Sequence, residues 1–179
     1  MDDNLGDQHH PAILKNDEEL LDDLMAILAS QTSGDPYSED GSFAANLSTL
    51  PVGLRAMAAT HWLDISLTLD SITWHFGNFG EQHLVAQTEA GLLELGLDEL
   101  ALCFREAKEL MLPILAERTE ADGDPDEIVQ RKGLEAKADE INRRAWDLHD
   151  VGSGTSAIYA AWVKYARGHP AEILGDEVA

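Results

Sequence analysis

The sequence contains a single cysteine, Cys103, in 179 residues. That excludes an internal disulfide framework and any zinc site built from several thiolates of one chain. Positive charge is the second scarcity. Twelve Lys and Arg face thirty-four Asp and Glu, a formal net charge of −22. Phosphate contacts need Lys and Arg, so the composition argues against direct nucleic-acid binding, and anionic membrane surfaces are repelled for the same reason. Long apolar runs are missing too. None reaches the ~18 residues of a membrane span. The start, Met1-Asp2-Asp3-Asn4, has neither the basic nor the apolar stretch of a secretion signal, and the expected location is the cytoplasm. No segment alternates apolar and polar residues as a strand does, and no repeat of fixed period is present.

What is present is a core. Apolar residues make up 44% of the chain, too many for a wholly disordered polymer despite the charge. Helical spacing recurs along the sequence. Leu20, Leu21, Leu24 and Leu28 predict a helix over 17–29 with Asn16 as its N-cap. Residues 30–47 collect Ser, Gly, Asp and Pro and read as a long loop. Ser48 or Thr49 caps a second helix with Pro51 in its first turn, and Leu54, Met57, Ala58, His61, Trp62, Ile65 and Leu69 form one broad apolar face. Residues 70–80 predict a short aromatic helix ending in a tight turn at Gly77, Asn78 and Gly80. Further helices are predicted over 81–95, stopped by Gly96, and over 99–117, capped by Asp98 and kinked or ended by Pro113. Two more follow, over 126–149 after Asp124-Pro125 and over 157–167. The expected fold is all-α: a single compact domain of about six to seven helices over 11–179, with residues 1–10 as a mobile acidic tail.

Catalytic motifs are scarce. Cys103 stands among Leu100, Leu102 and Phe104 and reads as a packed thiol. Gly152-Ser153-Gly154-Thr155-Ser156 precedes a helix but has no Lys after its glycines. It reads as a connector with Ser156 as N-cap, not as a phosphate loop. His61 and Asp64 lie three apart on a helix, and His75 and His83 flank the aromatic turn beside Glu81. A His/carboxylate metal site is conceivable there, but no tight ligand spacing such as HExxH occurs. No catalytic residue, metal or cofactor is therefore assigned.

The carboxylates are the strongest feature. Residues 1–40 carry eleven acidic groups and one Lys, whereas 41–80 carry only Asp64, Asp70 and Arg55. Glu18 with Asp22, and Glu19 with Asp23, are like-charge pairs one helical turn apart. Each such pair costs roughly 0.2–0.5 kcal/mol, so helix stability does not explain them. Exposed carboxylates at that spacing lie about 5–6 Å apart, comparable with the phosphate density of duplex DNA. The candidate partner-binding residues are Glu18, Asp22 and Asp23; Glu94, Asp98 and Glu99 around the Gly96 turn; and Asp122, Asp124, Asp126 and Glu127 at the later helix start.

Leu50-Pro51, Trp62-Leu63 and the stretch His75-Phe76-Gly77-Asn78 with Gly80 resemble the core of the DNA-mimic-protein family of small acidic bacterial proteins. Ala90-Gly91-Leu92-Leu93-Glu94-Leu95-Gly96 is similar to that family's Ala-Leu-x-x-Ile-Gly helix end, and 163–170 to its closing tyrosine helix. Where the family carries Asn-Gly-Gly-Phe before the aromatic stretch, this chain has Leu69-Asp70-Ser71-Ile72. The resemblance implies an acidic, helical, dimeric protein that occupies the DNA site of a transcription repressor. The expected function is thus a non-enzymatic interaction protein, a DNA mimic for a basic transcription regulator or other DNA-binding protein. The alternative is an immunity-type or other acidic module that neutralises a basic partner. A metal-dependent enzyme with a His/carboxylate site ranks third. Trp62, Trp74, Phe76 and Phe79 supply more aromatic surface than a small core needs, which also favours a homodimer.

Overall fold

A computed structural model describes residues 15–121, 125–150, 152 and 154–174. Among the described residues there are ten helices and no strand. Their buried apolar side chains form one connected core. The all-α class is as expected; the helix count is higher, for reasons legible at particular residues.

Helix α1 (Asp17–Gln31) starts where the sequence places it. The Asn16 side chain accepts from Glu19 N at 2.9 Å and the Glu19 carboxylate accepts from Asn16 N, a reciprocal cap. The predicted loop over 30–47 contains a further helix, α2 (Ser42–Leu47). Phe43, Ala44 and Leu47 are its buried residues. A stripe this short carries no periodicity over a sequence window, and packing against α3 and α5 supplies what propensity does not.

Helix α3 (Val52–Leu69) is the centre of the molecule. The sequence predicts one apolar face, but Gly53, Leu54, Ala56, Met57, Ala58, Ala59, Thr60, Leu63, Asp64, Ser66 and Leu67 are all buried. With only Arg55 and Asp64 charged, it has no polar face to turn outward, and seven other helices surround it. Pro51 is the N-cap itself and lies outside the first turn; neither Ser48 nor Thr49 caps the helix, and Ser48 instead closes α2.

Helix α4 (Ile72–Phe79) runs through Gly77 and Asn78, where a turn is predicted, and ends at Gly80. Ser71 starts it by accepting from Trp74 N. Helix α5 (Gln82–Glu94) is capped by Glu81, whose carboxylate accepts from His83 N and Leu84 N. Gly96 stops it as predicted, with Leu97 N donating back to Leu92 O at 2.8 Å.

Helix α6 (Asp98–Ala121) continues past Pro113, and Asp98 is its first residue instead of its cap. Leu110, Met111 and Ile114 are buried around the proline, so tertiary packing holds the segment against the lost backbone donor. The single helix predicted over 126–149 is two, α7 (Pro125–Arg131) and α8 (Glu135–His149). Gly133 at φ +67° breaks it, and Leu134 N closes the end onto Val129 O at 3.0 Å. Helix α9 (Ala157–Gly168) is capped by Ser156, and α10 (Ala171–Leu174) follows Pro170. Among the described residues no helix is long and apolar enough to cross a membrane.

The aromatic surface that favours a dimer in the sequence is spent inside the chain. Phe76 and Phe79 are buried, while Trp62 and Trp74 are partly buried against the same core. The Trp62 ring meets those of Tyr37, Phe43 and Phe79. What remains for a dimer is the family resemblance.

Candidate functional site

The buried leucines of α1, Leu20, Leu24 and Leu28, fix which side of that helix faces solvent. Glu18 and Asp22 are exposed there and have no ion-pair partner among the described residues. Asp23 is held by Lys15, and Asp17 by Arg167 of α9. Glu94 closes α5 and accepts from the Tyr165 hydroxyl at 2.6 Å. Burial, then that hydrogen bond and the charges of Glu94 and Glu172, push the Tyr165 phenol well above its ordinary range. Tyr165 and Arg167 are two residues apart, so the start of α1 and the end of α5 meet at the end of α9. Asp98 and Glu99 open α6 and are exposed.

Glu127 is exposed on α7. Helix α7 packs on the far half of α6, where Arg131 and Lys132 reach Glu117, ~28 Å along the helix from Asp98. The candidates therefore form two groups and not one patch. Asp122 and Asp124 lie outside the described residues, and the Asp126 side chain is likewise outside them.

The basic residues are largely withdrawn from partners. Arg105 and Lys108 of α6 both grip Glu89 of α5, and Arg131 and Lys132 both grip Glu117. Arg144 pairs with Glu106 at 2.9 Å and Arg143 with Asp147 at 3.3 Å. Burial pushes the Glu89 carboxyl up, but the hydrogen bonds and charges of Lys108 and Arg105 outweigh it and hold it below the usual range. The hydrogen bond from Arg144 does the same for Glu106. The outward field of the described surface is therefore set by carboxylates.

The histidines that could have made a metal centre are dispersed. His75 is fully buried and its Nδ1 lies 2.9 Å from Ser66 Oγ. Burial lowers its pKa to about 3. The Ser66 hydroxyl also reaches Trp62 O, and His75 Nε2 has no partner among the described residues. His83 is exposed on α5 and bonds Glu81 at 2.8 Å. Among the described residues no three His, Cys, Asp or Glu side chains come close enough to hold a metal ion.

His61 and Asp64 diverge. His61 Nδ1 lies 3.1 Å from the Tyr159 hydroxyl, and burial lowers its pKa against the pull of Asp64. Asp64 is buried and takes His149 Nε2 at 2.9 Å together with the Ser156 hydroxyl. The sequence reading missed His149 as a partner. It ends the stripe Ala138, Ile141, Ala145, His149 on the buried face of α8, which was the available signal. The serine donates to the carboxylate and not to the imidazole, which the same carboxylate oxygen holds. Its oxygen also caps α9 by accepting from Tyr159 N. This network ties α3 to the α8–α9 junction. Cys103 is buried with Sγ 3.4 Å from Ile141 O, and burial pushes its thiol up. No family model, curated protein or solved structure matches the chain.

Proposed function

We propose that the protein is an acidic, non-enzymatic interaction protein that occupies the DNA-binding surface of a basic partner, such as a transcription regulator. One observation carries this reading. Glu18 and Asp22 stand one turn apart on a capped, core-anchored helix, exposed and without a cation among the described residues. Asp98 and Glu99 are placed likewise on the first turn of α6. Carboxylates on rigid helices hold a spacing that a partner can read, and their field steers association. The Glu18/Asp22 pair costs helix stability, which makes it a poor solubility device and a good recognition device.

The test begins with capture of partners from the source cell at low salt, followed by competition with duplex DNA. Two variants are then compared at matched ionic strength. One replaces Glu18, Asp22, Asp98 and Glu99 by Gln or Asn; Asp23 and Glu94 are spared because Lys15 and Tyr165 already engage them. The other deletes residues 1–10, which removes Asp2, Asp3 and Asp7. The first should lose most of its affinity and the second little. Equal losses mean that the partner senses net charge, and the reading fails. A captured basic toxin that is silenced without competing with DNA assigns the protein to the immunity-type class instead.

A further inference from the structure

A cleft of about 460 Å³ opens between α4 and the α7–α8 pair, away from the α1 and α6 carboxylates discussed above. That volume is in the range of small-molecule sites. Its walls combine three chemistries. Trp74 lines it with indole surface, and the buried Met111 of α6 adds a second apolar contact. Asn142 supplies an amide whose Oδ1 is occupied by Thr73 N and Thr73 Oγ1, both at 3.1 Å. Its NH2 group has no acceptor among the described residues and is held in orientation by those two bonds. Asp70 at the α3–α4 junction, with Glu135 and Asp139 one turn apart on α8, supplies the charge.

None of these three carboxylates has an ion-pair partner among the described residues, and no Lys or Arg lines the cleft. The three do not converge closely enough to chelate a metal ion. An indole wall beside separated carboxylates fits a cation whose charge sits on an apolar stem. The stem covers Trp74 and Met111, and the charged head lies toward Asp70, Glu135 and Asp139.

We propose that this cleft binds a small organic cation, an ammonium or guanidinium group on an apolar stem. The Asn142 NH2 group adds a donor for a ligand acceptor next to the charged head. The site shares no residue with the partner-binding surface proposed above, so the two are tested independently.

Calorimetry and tryptophan fluorescence on the full chain test it, with cadaverine and agmatine as probes at fixed ionic strength. Saturable one-site binding is expected. Glu135→Gln with Asp139→Asn should weaken it by about tenfold. Glu18→Gln with Asp22→Asn removes an equivalent one-turn carboxylate pair from α1 and should change it by less than about twofold. Asp139→Lys, which places a cation in the cleft, should abolish binding, and circular dichroism checks that each variant keeps its helices. N-acetyl-lysine methylamide is the third probe. If it binds at least as well as cadaverine, the cation is the side chain of a protein partner; if it binds more weakly, the cation is a free amine. Absence of saturable binding at millimolar probe, equal loss in both carboxylate pairs, equal binding of neutral pentanediol, or equal competition by magnesium would each overturn the proposal.

Discussion

Removing the Asp64 carboxylate should destabilise the fold more than removing any exposed acid. Asp64 is 4% exposed and lies on the central helix α3. It accepts from His149 Nε2 at the end of α8 and from Ser156, the cap of α9. The Tyr159 phenol lies against it as well, and burial, followed by the Asp64 charge and hydrogen bond, raises that phenol above its ordinary range. In Asp64→Ala the His149 ring, 8% exposed, keeps an N–H with no acceptor. Leaving the buried His149 donor and the half-buried Ser156 donor without their acceptor costs roughly 1–3 kcal/mol each, against a total stability of roughly 5–15 kcal/mol for a domain. At ~2–4 °C per kcal/mol for this chain length, Tm should fall by roughly 10 °C. Asp64→Asn keeps an acceptor oxygen and should lose about half as much. Urea unfolding of Asp64→Ala, His149→Ala and the double variant gives the coupling directly, expected at about 1–3 kcal/mol. A loss below about 1 kcal/mol in Asp64→Ala, or no coupling, would falsify the claim that this network holds the α8–α9 junction to α3.

Four further outcomes are expected. His75 titrates near 3 when folded and near 6.5 when unfolded, so between those values the unfolded chain binds a proton that the folded chain refuses. The resulting penalty on the folded state is absent above pH 6.5 and grows as pH falls toward 3, by up to ~1.4 kcal/mol per pH unit. His75→Phe should therefore gain on the wild type as pH is lowered from 6.5, and parallel stability curves for the two would refute this. A Cβ on Gly91 would stand 2.9 Å from Ala56 O and 3.1 Å from Ala56 Cα, so Gly91→Ala forces α5 off α3 and should cost about 1–2 kcal/mol net of its gain in helix propensity. Gly77→Ala, in α4 with nothing within 4 Å, should instead stabilise by up to ~1 kcal/mol in the same urea assay. Cys103 should resist thiol reagents in the native protein and react fully once unfolded; fast native labelling would show that the α6–α8 contact opens.

Local signals carried much of the fold. The caps at Asn16 and Ser156, the stop at Gly96 and the leucine spacing of α1 act within one turn of chain, so the residues alone determined them. Helical spacing without strand alternation determined the all-α class and composition the net charge, and the one-turn carboxylate spacing on α1 follows from helix geometry alone. Tertiary structure decided the rest. Pro113 sits inside an unbroken α6 because Leu110, Met111 and Ile114 are buried around it, and α2 exists because Phe43 and Leu47 find a core. It also decided which carboxylates face solvent alone: Asp23 and Glu94 look like Glu18 and Asp22 in sequence, but Lys15 and Tyr165 reach them in space. The pairing of Asp64 with His149 spans 85 positions, and the cleft joins Asp70 and Trp74 to Asp139 and Asn142. Such contacts depend on how helices pack, a sum over many weak side-chain contacts that no local pattern encodes.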